Sequence, residues 1–453
     1  MNSASMLPML FAVKHAPRAY VVVDLSFGDQ GKGTVTDFLV RDRGARWVCR
    51  FNGGAQAGHN VVTDDGRHHT FAQFGAGSFV DGVSTFLART MVLDPWSLRV
   101  EAEYLARQGV RDVIDRTFVD AEALVCTPLH GAINRLRERA RGEHRHGSCG
   151  VGVGETMRDA LTLDPARVLR AGDLRDPALT RRKLTQLREA HRDTLGPLRE
   201  ALAHDPEARR DAAIFDDDDA FARALEWLGW FYARGRIVAP DFFDAVLAAG
   251  QSVVFEGAQG VLLDEWRGFH PYTTWSTCTP HNADALLARF EGPVTRLGVL
   301  RCYATRHGAG PFVTEDPELD AALGEPHNRT DPWQGRFRVG HFDAVSARYA
   351  RRVCGHLDAL ALTHLDRLSP ETPWRVATRY RDASGALCDD LDPTPHGDLD
   401  ALAALTRTVA GCTPEYLTHD AAAHLGVIED QVMPVALASY GPRPRDKRWL
   451  RAG

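Results

Sequence analysis

The stretch that decides the fold is AYVVVDLSFGDQGKGT, residues 19–34. Its first six residues form a β-rich apolar run, which is typical of a buried parallel strand. A turn containing Gly28, Gly31 and Gly33 follows, and residues 34–40 have the pattern of a helix. Glycines that expose backbone N–H groups at the start of a helix form a cradle for phosphate, to which Lys32 would add a positive charge. A tight turn that binds no ligand is the alternative.

The chain continues outward from this unit as alternating strands and helices. Short apolar runs that lead into glycine-rich loops predict further strands at 47–51, 252–255, 296–303, 359–362 and 435–438. Leu, Ala and Trp at three-to-four spacing make 177–247 mostly helical. We therefore predict an α/β fold, with a large, mainly parallel central sheet, flanking helices and ligands bound beyond the strand C-termini. Residues 1–18 would be a leader, and 19–453 one catalytic domain with a helical excursion at about 177–247.

Composition excludes several classes of protein. The 453 residues are 44% hydrophobic and 25% charged, which is enough for a sizeable core and rules out global disorder. The net charge of −6 argues against a nucleic-acid coat or a membrane-surface binder. Eight scattered cysteines without a CxxC pair suit a reduced cytoplasm, and no apolar run is long enough to span a membrane. The apolar stretch 6–13 is short for a signal peptide, although that alternative stays open.

The few lysines make each one informative. Only four are present, Lys14, Lys32, Lys183 and Lys447, against fifty arginines. The lysine turn is not a Walker A motif, because Ser26 stands where that motif has glycine and Gly33 where it has serine or threonine. Asp29 is unusual there, since an acid in an anion-binding turn is costly unless it holds Mg²⁺ or accepts a proton. Both are catalytic roles.

Three more glycine-rich loops carry candidate residues. FNGGAQAGHN, residues 51–60, ends near His59, which could reach a transferring phosphoryl group as an acid, although such a histidine is more often structural. HGSCGVGVG, residues 146–154, allows close backbone approach to a ligand or is a surface loop. FEGAQG, residues 255–260, follows a strand and presents Gln259, whose amide can read a carbonyl and an N–H of a base.

Further candidates lie in the second half of the chain. Arg336 and Arg338, in the segment GRFR, could clamp a carboxylate or a phosphate. Asp366 follows a strand and could accept hydrogen bonds from the N1–H and the 2-amine of guanine. The segments TRHGAGP (305–311) and SYGP (439–442) have the composition of turns. Each segment taken singly would fit a surface loop, so their joint order carries the argument.

Taken together, these segments closely resemble the adenylosuccinate synthetase family, which joins aspartate to IMP with GTP. That family typically reads WGDEGKGK, NGGxNAGHT, FEGAQGTLLD, YPFVTSS, TRVGxGPFPTE, TTGRPRR, TKLD and STGP, in this order. Here the order is FGDQGKGT, NGGAQAGHN, FEGAQGVLLDEWRGFHPYTTWST, TRHGAGPFVTE, WQGRFRVGHFD, THLD and SYGP. The matches extend from about residue 20 to residue 445. The resemblance implies a homodimer with a P-loop-NTPase-like nucleotide site, Mg²⁺ as cofactor and a purine nucleoside monophosphate, L-aspartate and GTP as substrates.

The resemblance also assigns residues. Asp29, His59 and Lys32 would be catalytic, with Asp29 as the base that takes the purine N1 proton and His59 acting on the γ-phosphate. Mg²⁺ would be held by Asp29 and the Gly58 carbonyl. The substrate nucleotide would be bound by Gln56, Ser148, Cys149, Gln259, Thr274 and Arg336, and the amine donor by Thr330, Gln334 and Arg338. GTP would be bound by Gly28, Gly31, Gly33, Thr34, His364, Asp366, Ser439, Gly441 and Pro442.

The departures from the family fall on positions that select substrates. The family's Thr pair before the arginine motif is Trp333–Gln334, and its Thr-Thr pair in the third loop is Ser148–Cys149, followed by Val151 instead of Arg. Asn60 and Gln56 replace the family's Thr and Asn. His364 replaces the Lys that stacks on guanine, so ATP is not excluded as the phosphate donor. Arg158 and Arg167 are both candidates for the arginine that crosses the dimer interface.

Three functions remain open from the sequence. The first is adenylosuccinate synthesis from IMP, L-aspartate and GTP. The second is a variant that ligates aspartate or another amine to a different purine-like nucleotide, for example dGMP. The third is a nucleotide-binding regulator without a ligase step, which the presence of both Asp29 and His59 disfavours, because a binder has no use for a base beside a γ-phosphate.

Overall fold

The computed structural model describes residues 17–142, 145, 147–324 and 333–451. The predicted leader lies outside the described residues except for its last two positions. The helices are α1 (Lys32–Arg43), α2 (Pro95–Arg107), α3 (Pro128–Ala140), α4 (Val153–Thr162), α5 (Pro177–Ala201), α6 (Pro206–Ala213), α7 (Asp218–Arg234), α8 (Phe242–Ala248), α9 (His281–Leu286), α10 (Pro317–Leu323), α11 (Ala344–Cys354), α12 (Leu399–Ala410) and α13 (His424–Gln431). Within this part of the chain, no helix is both long and apolar enough to cross a bilayer.

A ten-stranded sheet organises the molecule. The strands are β1 (Ala19–Asp24), β2 (Trp47–Arg50), β3 (His59–Val62), β4 (His68–Phe71), β5 (Ser84–Leu87), β6 (Val92–Leu93), β7 (Thr117–Asp120), β8 (Leu124–Val125), β9 (Arg236–Val238), β10 (Val253–Glu256), β11 (Val294–Arg301), β12 (Ala304–His307), β13 (Phe337–Gly340), β14 (Phe342–Asp343), β15 (Ala359–Thr363), β16 (Trp374–Arg381), β17 (Leu387–Cys388), β18 (Thr413–His419), β19 (Val435–Ser439) and β20 (Lys447–Trp449). The order in the large sheet is β20-β19-β15-β11-β1-β10-β2-β5-β7-β9, and only β20 runs antiparallel to its neighbour. This confirms the predicted α/β fold with a mainly parallel sheet.

Strand β1 shows why the central strands lack polar alternation. Tyr20 and Val22 pack on one face of the sheet with residues of α1, whereas Val21 and Val23 pack on the other face. All six residues of β1 are buried, because helices cover both faces of a parallel sheet. The strand is paired on one side with β10 and on the other with β11. The loop that follows β1 therefore lies at the middle of the sheet edge.

The segment 177–247 is mostly helical, as expected, and α5, α6, α7 and α8 lie within it. It also contains β9, which pairs in parallel with β7 at the end of the sheet. Its apolar side chains pack with those of α2, α3 and residues 61–93 in a second apolar cluster, so the segment shares a core with the preceding part of the chain. Short strands elsewhere were not predicted, among them the antiparallel pair β12–β13.

Candidate active site

The first glycine-rich turn is built around a buried carboxylate. Asp24, the last residue of β1, accepts hydrogen bonds at Oδ1 from the backbone N–H groups of Ser26 (2.9 Å) and Gly28 (3.2 Å). Its Oδ2 accepts from Gln30 N (3.2 Å) and from Lys32 Nζ (2.7 Å). Lys32 is thus paired with a carboxylate inside the protein. Sequence reasoning missed Asp24, although a charged residue at the end of a buried parallel strand was a usable signal.

Asp29 has a left-handed backbone, with φ of 62°, and is half-buried. Arg301 Nε donates to its carbonyl oxygen (2.6 Å) and holds the turn against β11. Burial raises the pKa of the Asp29 carboxyl above its ordinary value, and the charges of Arg301 and Lys32 oppose that rise. No described residue donates a hydrogen bond to this carboxylate. A carboxyl with a raised pKa and no hydrogen-bond donor among the described residues is compatible with the general base or metal ligand that the resemblance implies.

His59 begins β3 and forms a buried hydrogen-bonded pair with Glu256, which the sequence did not reveal. Its Nδ1 lies 2.7 Å from Glu256 Oε1, and Glu256 Oε2 accepts from Ala76 N (3.0 Å). Arg50 Nε lies 3.9 Å from the same Oε2. Burial lowers the pKa of His59 to about 4, while the nearby His59 and Arg50 lower that of Glu256 against its burial. At neutral pH the ligand-free pair is therefore a neutral imidazole that donates from Nδ1 to an ionised carboxylate.

Close backbone contacts bring the first two loops together. A Cβ atom at Gly33, in the first turn of α1, would lie 2.7 Å from His59 Cβ, so only glycine permits this approach. His59 is thereby fixed beside the predicted phosphate cradle. The structure thus places Asp29, Lys32 and His59, the three predicted catalytic residues, on adjoining loops at one edge of the sheet.

The second and fourth loops brace each other. Asn52 Nδ2 donates to the Ala258 carbonyl (3.1 Å), and Ala258 N donates back to Asn52 Oδ1 (2.7 Å). Gln259 adopts φ of 53°, and a Cβ at Gly53 would lie 3.0 Å from Gln259 Oε1. That amide oxygen and Gln56 Oε1 are both buried without a hydrogen-bond partner among the described residues. Because unsatisfied buried acceptors are costly, they suit a donor supplied by a ligand.

The third loop lies against the segment that precedes the arginine pair. Ser148 Oγ and the Asn134 side chain are hydrogen bonded, and Arg135 Nη1 donates to the Gly150 carbonyl (3.0 Å). A Cβ at Gly150 would lie 3.4 Å from the Trp333 ring, and the Arg139 guanidinium sits 4.9 Å from the ring centroid. Cys149 is half-buried in this loop, and the Gln334 carbonyl faces Gly308. Thr330 lies outside the described residues, and Thr274 is half-buried, with its N–H donating to Leu263 O (2.8 Å).

The predicted arginine clamp is closed on a glutamate. Arg336 Nη2 donates to Glu315 Oε1 (2.6 Å), and Arg338 Nη1 donates to Glu315 Oε2 (2.8 Å). Arg338 Nη2 also donates to the carbonyls of Gly308 (2.7 Å) and Gly310 (2.9 Å). Arg338 is accordingly fixed, whereas the Arg336 side chain is 57% exposed and can turn toward a ligand. Two cations share one carboxylate here, which leaves a net positive charge for an anionic substrate.

The predicted GTP-binding residues converge on the beginning of α1. A Cβ at Gly31 would lie 3.2 Å from Thr363 Cγ2, and Thr34 Oγ1 donates to the Pro442 carbonyl (2.8 Å). Ser439 Oγ donates to the Gly441 carbonyl (3.0 Å), which shapes the turn 439–442. His364 has φ of 61°, and burial lowers its pKa well below the ordinary value, so it offers a neutral ring rather than a cation. Asp366 follows two residues later.

A separate group of metal-ligand type lies in the helical part. His130 Nε2 and His191 Nε2 lie 3.1 and 2.9 Å from the same oxygen of Asp159. Because Thr127 N donates to His130 Nδ1 (3.0 Å), the His130 proton is on Nε2 and points at Asp159. That nitrogen has no lone pair for a cation, so the group is a hydrogen-bonded joint between α3, α4 and α5.

Comparisons with known proteins identify the family of the chain. The family model described as adenylosuccinate synthetase matches residues 21–447. The chain is 34% identical over 383 residues to adenylosuccinate synthetase of Mycolicibacterium vanbaalenii, with 83% of each chain covered. It is 31% identical over 447 residues to that of Marinomonas sp., covering 93% of this chain and 96% of the relative.

Two solved structures share the fold at low sequence identity. Fully ligated adenylosuccinate synthetase from Plasmodium falciparum has a TM-score of 0.74 at 20% identity, with 95% of this chain and 99% of that chain covered. Cyanophage S-2L succinoaminodeoxyadenylate synthetase, bound to dGMP and dATP as an energy donor, has a TM-score of 0.58 at 19% identity, with 97% of both chains covered. On the family model and the sequence relatives together, the chain belongs to the adenylosuccinate synthetase family.

Proposed function

We propose that the protein is a ligase that joins L-aspartate to C6 of IMP and converts GTP to GDP and phosphate, giving adenylosuccinate. The observation that carries this proposal is that the turn of Asp29, whose carboxylate accepts no hydrogen bond from a described residue, approaches the His59–Glu256 pair through Gly33. A protein that only binds nucleotide needs neither a base with a raised pKa nor an oriented histidine at that point. The regulator hypothesis is therefore the weakest of the three.

The chemistry needs two steps, because the purine 6-oxygen is a poor leaving group. Asp29 takes the N1 proton as O6 attacks the γ-phosphorus of GTP, so the O6–P bond forms and the bond to GDP breaks. The amine of L-aspartate then attacks C6, and O6 leaves with its phosphoryl group as inorganic phosphate. The amine's proton is released in the same step. Backbone N–H groups at the beginning of α1, which Asp24 does not engage, would orient the phosphates throughout.

His59 would act on the γ-phosphate from the opposite loop. Its Nδ1–H is held by Glu256, which leaves Nε2 as the nitrogen available to substrate. In the ligand-free protein the imidazole is neutral, since its pKa is about 4. A phosphate brought next to the ring would raise that pKa, so that His59 acquires a proton and stabilises the transferring group.

The residues present fit the predicted Mg²⁺. Asp29 supplies a carboxylate without a hydrogen-bond donor, and Gly58 supplies a carbonyl oxygen, both of the hard oxygen type that Mg²⁺ prefers. A bound divalent cation would neutralise phosphate charge during transfer. Asp366 would read guanine through its N1–H and 2-amine, while the neutral ring of His364 would lie at the base without adding a charge. Preference for GTP over ATP would then rest on Asp366.

A second candidate is a variant that takes another purine-like nucleotide, such as dGMP. The observation that favours it is the packing of Trp333 against Gly150 and Arg139, where the family has a small threonine before its arginine motif. A large ring beside the third loop changes the space available to the acceptor nucleotide and to the amine donor. Cys149 and Val151 change the same loop in the same direction, away from hydroxyl and guanidinium groups.

Phosphate release separates these candidates. The purified protein would be given Mg²⁺ and GTP with IMP plus L-aspartate, or with dGMP plus L-aspartate, and ATP would replace GTP in parallel. Phosphate release with IMP that requires aspartate supports adenylosuccinate synthesis. Phosphate release with dGMP plus L-aspartate, but not with IMP plus L-aspartate, supports the variant. Slow release that is indifferent to purine and amine would contradict both ligase proposals.

We further propose a homodimer working in the cytoplasm, as the family resemblance implies. Both candidates for the crossing arginine lie on or just after α4. Arg158 Nε lies 3.6 Å from Glu155, and Arg167 Nη2 donates to the Gln186 carbonyl (3.2 Å). Light scattering on the purified chain tests the dimer, and a monomer that is fully active would refute a role for either arginine across an interface.

A further inference from the structure

The part of the site proposed to bind GTP, called the donor end, contains a buried lysine that has no role in the proposed mechanism. Lys447, the first residue of β20, is 6% exposed. Its Nζ donates to Thr34 Oγ1, to the Gly441 carbonyl (3.1 Å) and to the Arg443 carbonyl (2.9 Å). The ammonium thus lies between the first turn of α1 and the turn 439–443, both of which belong to the predicted GTP site.

The acceptors around Lys447 are all neutral. Among the described residues no carboxylate oxygen lies within 4.0 Å of its Nζ, in contrast to Lys32, which lies 2.7 Å from Asp24. Burial lowers the pKa of Lys447 to about 8, opposed by more distant carboxylates (Asp446 on its own segment, Asp37 on α1, Asp366 after β15 and Asp64 beyond β3). A buried cation without an ionic partner is costly unless an anion is brought to it.

The sequence motif shows why a cation is wanted at this point. The family motif WGDEGKGK ends in lysine, and the corresponding residue here is Thr34. The structure brings another lysine to that same side chain from a strand more than four hundred residues away. In a chain with only four lysines, such a meeting is informative.

We infer that Lys447 is a phosphate-binding residue of the donor-nucleotide site, supplying from β20 the positive charge that Thr34 lacks on α1. The inference rests on the proposed use of a nucleoside triphosphate. Lys32 differs in being paired with the carboxylate of Asp24, whereas Lys447 donates its three N–H groups to neutral acceptors, one of which a donor phosphate would replace. The positive end of α1 and the Lys447 ammonium together would hold the phosphate chain of the donor.

The competing explanation is that Lys447 only holds the turn 439–443 in place. The two explanations predict different effects on ligand affinity. A lysine that only shapes the base-binding turn would affect the affinity of every ligand with the same base equally. A phosphate-binding charge affects GTP and GDP but not guanosine.

Calorimetric binding to the full-length protein with Mg²⁺ tests this difference, using GTP, GDP and guanosine as probes. Lys447→Met is expected to lower the affinity for GTP and GDP by about tenfold, which corresponds to the loss of one charge-assisted contact. The affinity for guanosine should not change. The double variant Thr34→Lys with Lys447→Thr returns the lysine to α1 and is expected to regain most of the GTP affinity. The matched control is Lys183→Met, which removes another buried lysine that is bound to Asp173 and a carbonyl in the helical part.

The outcomes separate this inference from the proposed function. Wild-type protein that binds neither GTP nor ATP would overturn the proposed function itself. If the wild type binds GTP, then unchanged GTP affinity in Lys447→Met, or equal losses for GTP and guanosine, would overturn only the role of Lys447. Thermal melting checks that each variant folds. Should Lys447→Met fail to fold, the double variant decides, because an intact protein with lysine at 34 that still binds GTP poorly would also refute the inference.

Discussion

The donor end of the site, proposed to bind GTP, and the acceptor end, proposed to bind the purine nucleotide and the amine, differ in how their charged groups are held. At the donor end, Asp24 accepts four hydrogen bonds from a single turn, and the His59–Glu256 pair is sealed inside the sheet edge. At the acceptor end, Arg336 and Arg338 are bound to one shared glutamate, and Trp333 packs against the third loop. Under the proposed function, the contrast places the groups for phosphate chemistry in the core of the fold. Substrate selection would then rest on side chains that can change without disturbing that core.

The largest expected effect is at Asp29. Asp29→Asn keeps the size of the side chain but removes the base, so ligase turnover should fall by about a thousandfold. GTP affinity without Mg²⁺ should be nearly unchanged, because the turn is held by Asp24 instead. Phosphate release and calorimetric GTP binding measure the two properties, and full ligase activity in the variant would refute the assigned base.

The next largest effect is expected at the buried His59–Glu256 pair. Glu256→Gln removes the carboxylate that orients His59, and we expect a roughly tenfold to hundredfold loss in kcat through the lost charged hydrogen bond. Glu101→Gln is the matched control, since Glu101 is another buried glutamate that contacts a histidine, His69, and backbone N–H groups. Steady-state rates of both variants should differ strongly while their melting temperatures fall by similar amounts.

A smaller effect is expected in the arginine clamp. Arg338→Lys cannot reproduce three simultaneous hydrogen bonds to Glu315, Gly308 and Gly310, so KM for the amine donor should rise by about tenfold. Arg336→Lys should change it less, because Arg336 is mostly exposed and holds one contact. Initial rates against L-aspartate concentration compare the two, and a larger effect at Arg336 would reverse the assignment.

Trp333→Ala should have a milder consequence, which sharpens the contrast between the two ends. The variant loses the contact between the ring and Arg139. The KM for the acceptor nucleotide or for the amine should therefore change by roughly twofold to fivefold. GTP affinity should not change. A loss of GTP affinity would show that the two ends are coupled after all.

The smallest effect is a shift in the pH profile. Asp29 works when ionised, so kcat/KM falls as the pH drops through its pKa, and burial places that acidic limb above the range of an ordinary aspartate. Arg301→Met removes the strongest cation that opposes this rise, so the limb should move to higher pH. Arg296→Met is the control on the same strand, because Arg296 pairs with Asp284 and does not act on Asp29. Equal profiles in the two variants would contradict the electrostatic account.

The sequence predicted what depends on local pattern. The apolar runs located β1, β10, β11, β15 and β19 to within two residues, because both faces of a parallel strand are buried and the run is continuous. The groups that it missed include Glu256, Glu315 and Arg301, whose partners lie far along the chain, so no local spacing encodes their pairing. Asp24 was missed although its partners lie within eight residues, because a charged residue at the end of a buried strand was not read as a signal. The proposed role of Lys447 likewise depends on a contact with Thr34 that is distant in sequence.

The order of the strands has a consequence for how the protein is made. The turn 28–34 leaves the ribosome early, but its neighbours in the sheet are β10 and β11, and the residues that contact it include Thr363, Pro442 and Lys447. A nascent chain therefore carries the turn 28–34 for most of its synthesis without the strands that shape it. Nucleotide affinity should appear late and abruptly, so a ribosome stalled before residue 447 would display a chain that a GTP resin fails to retain.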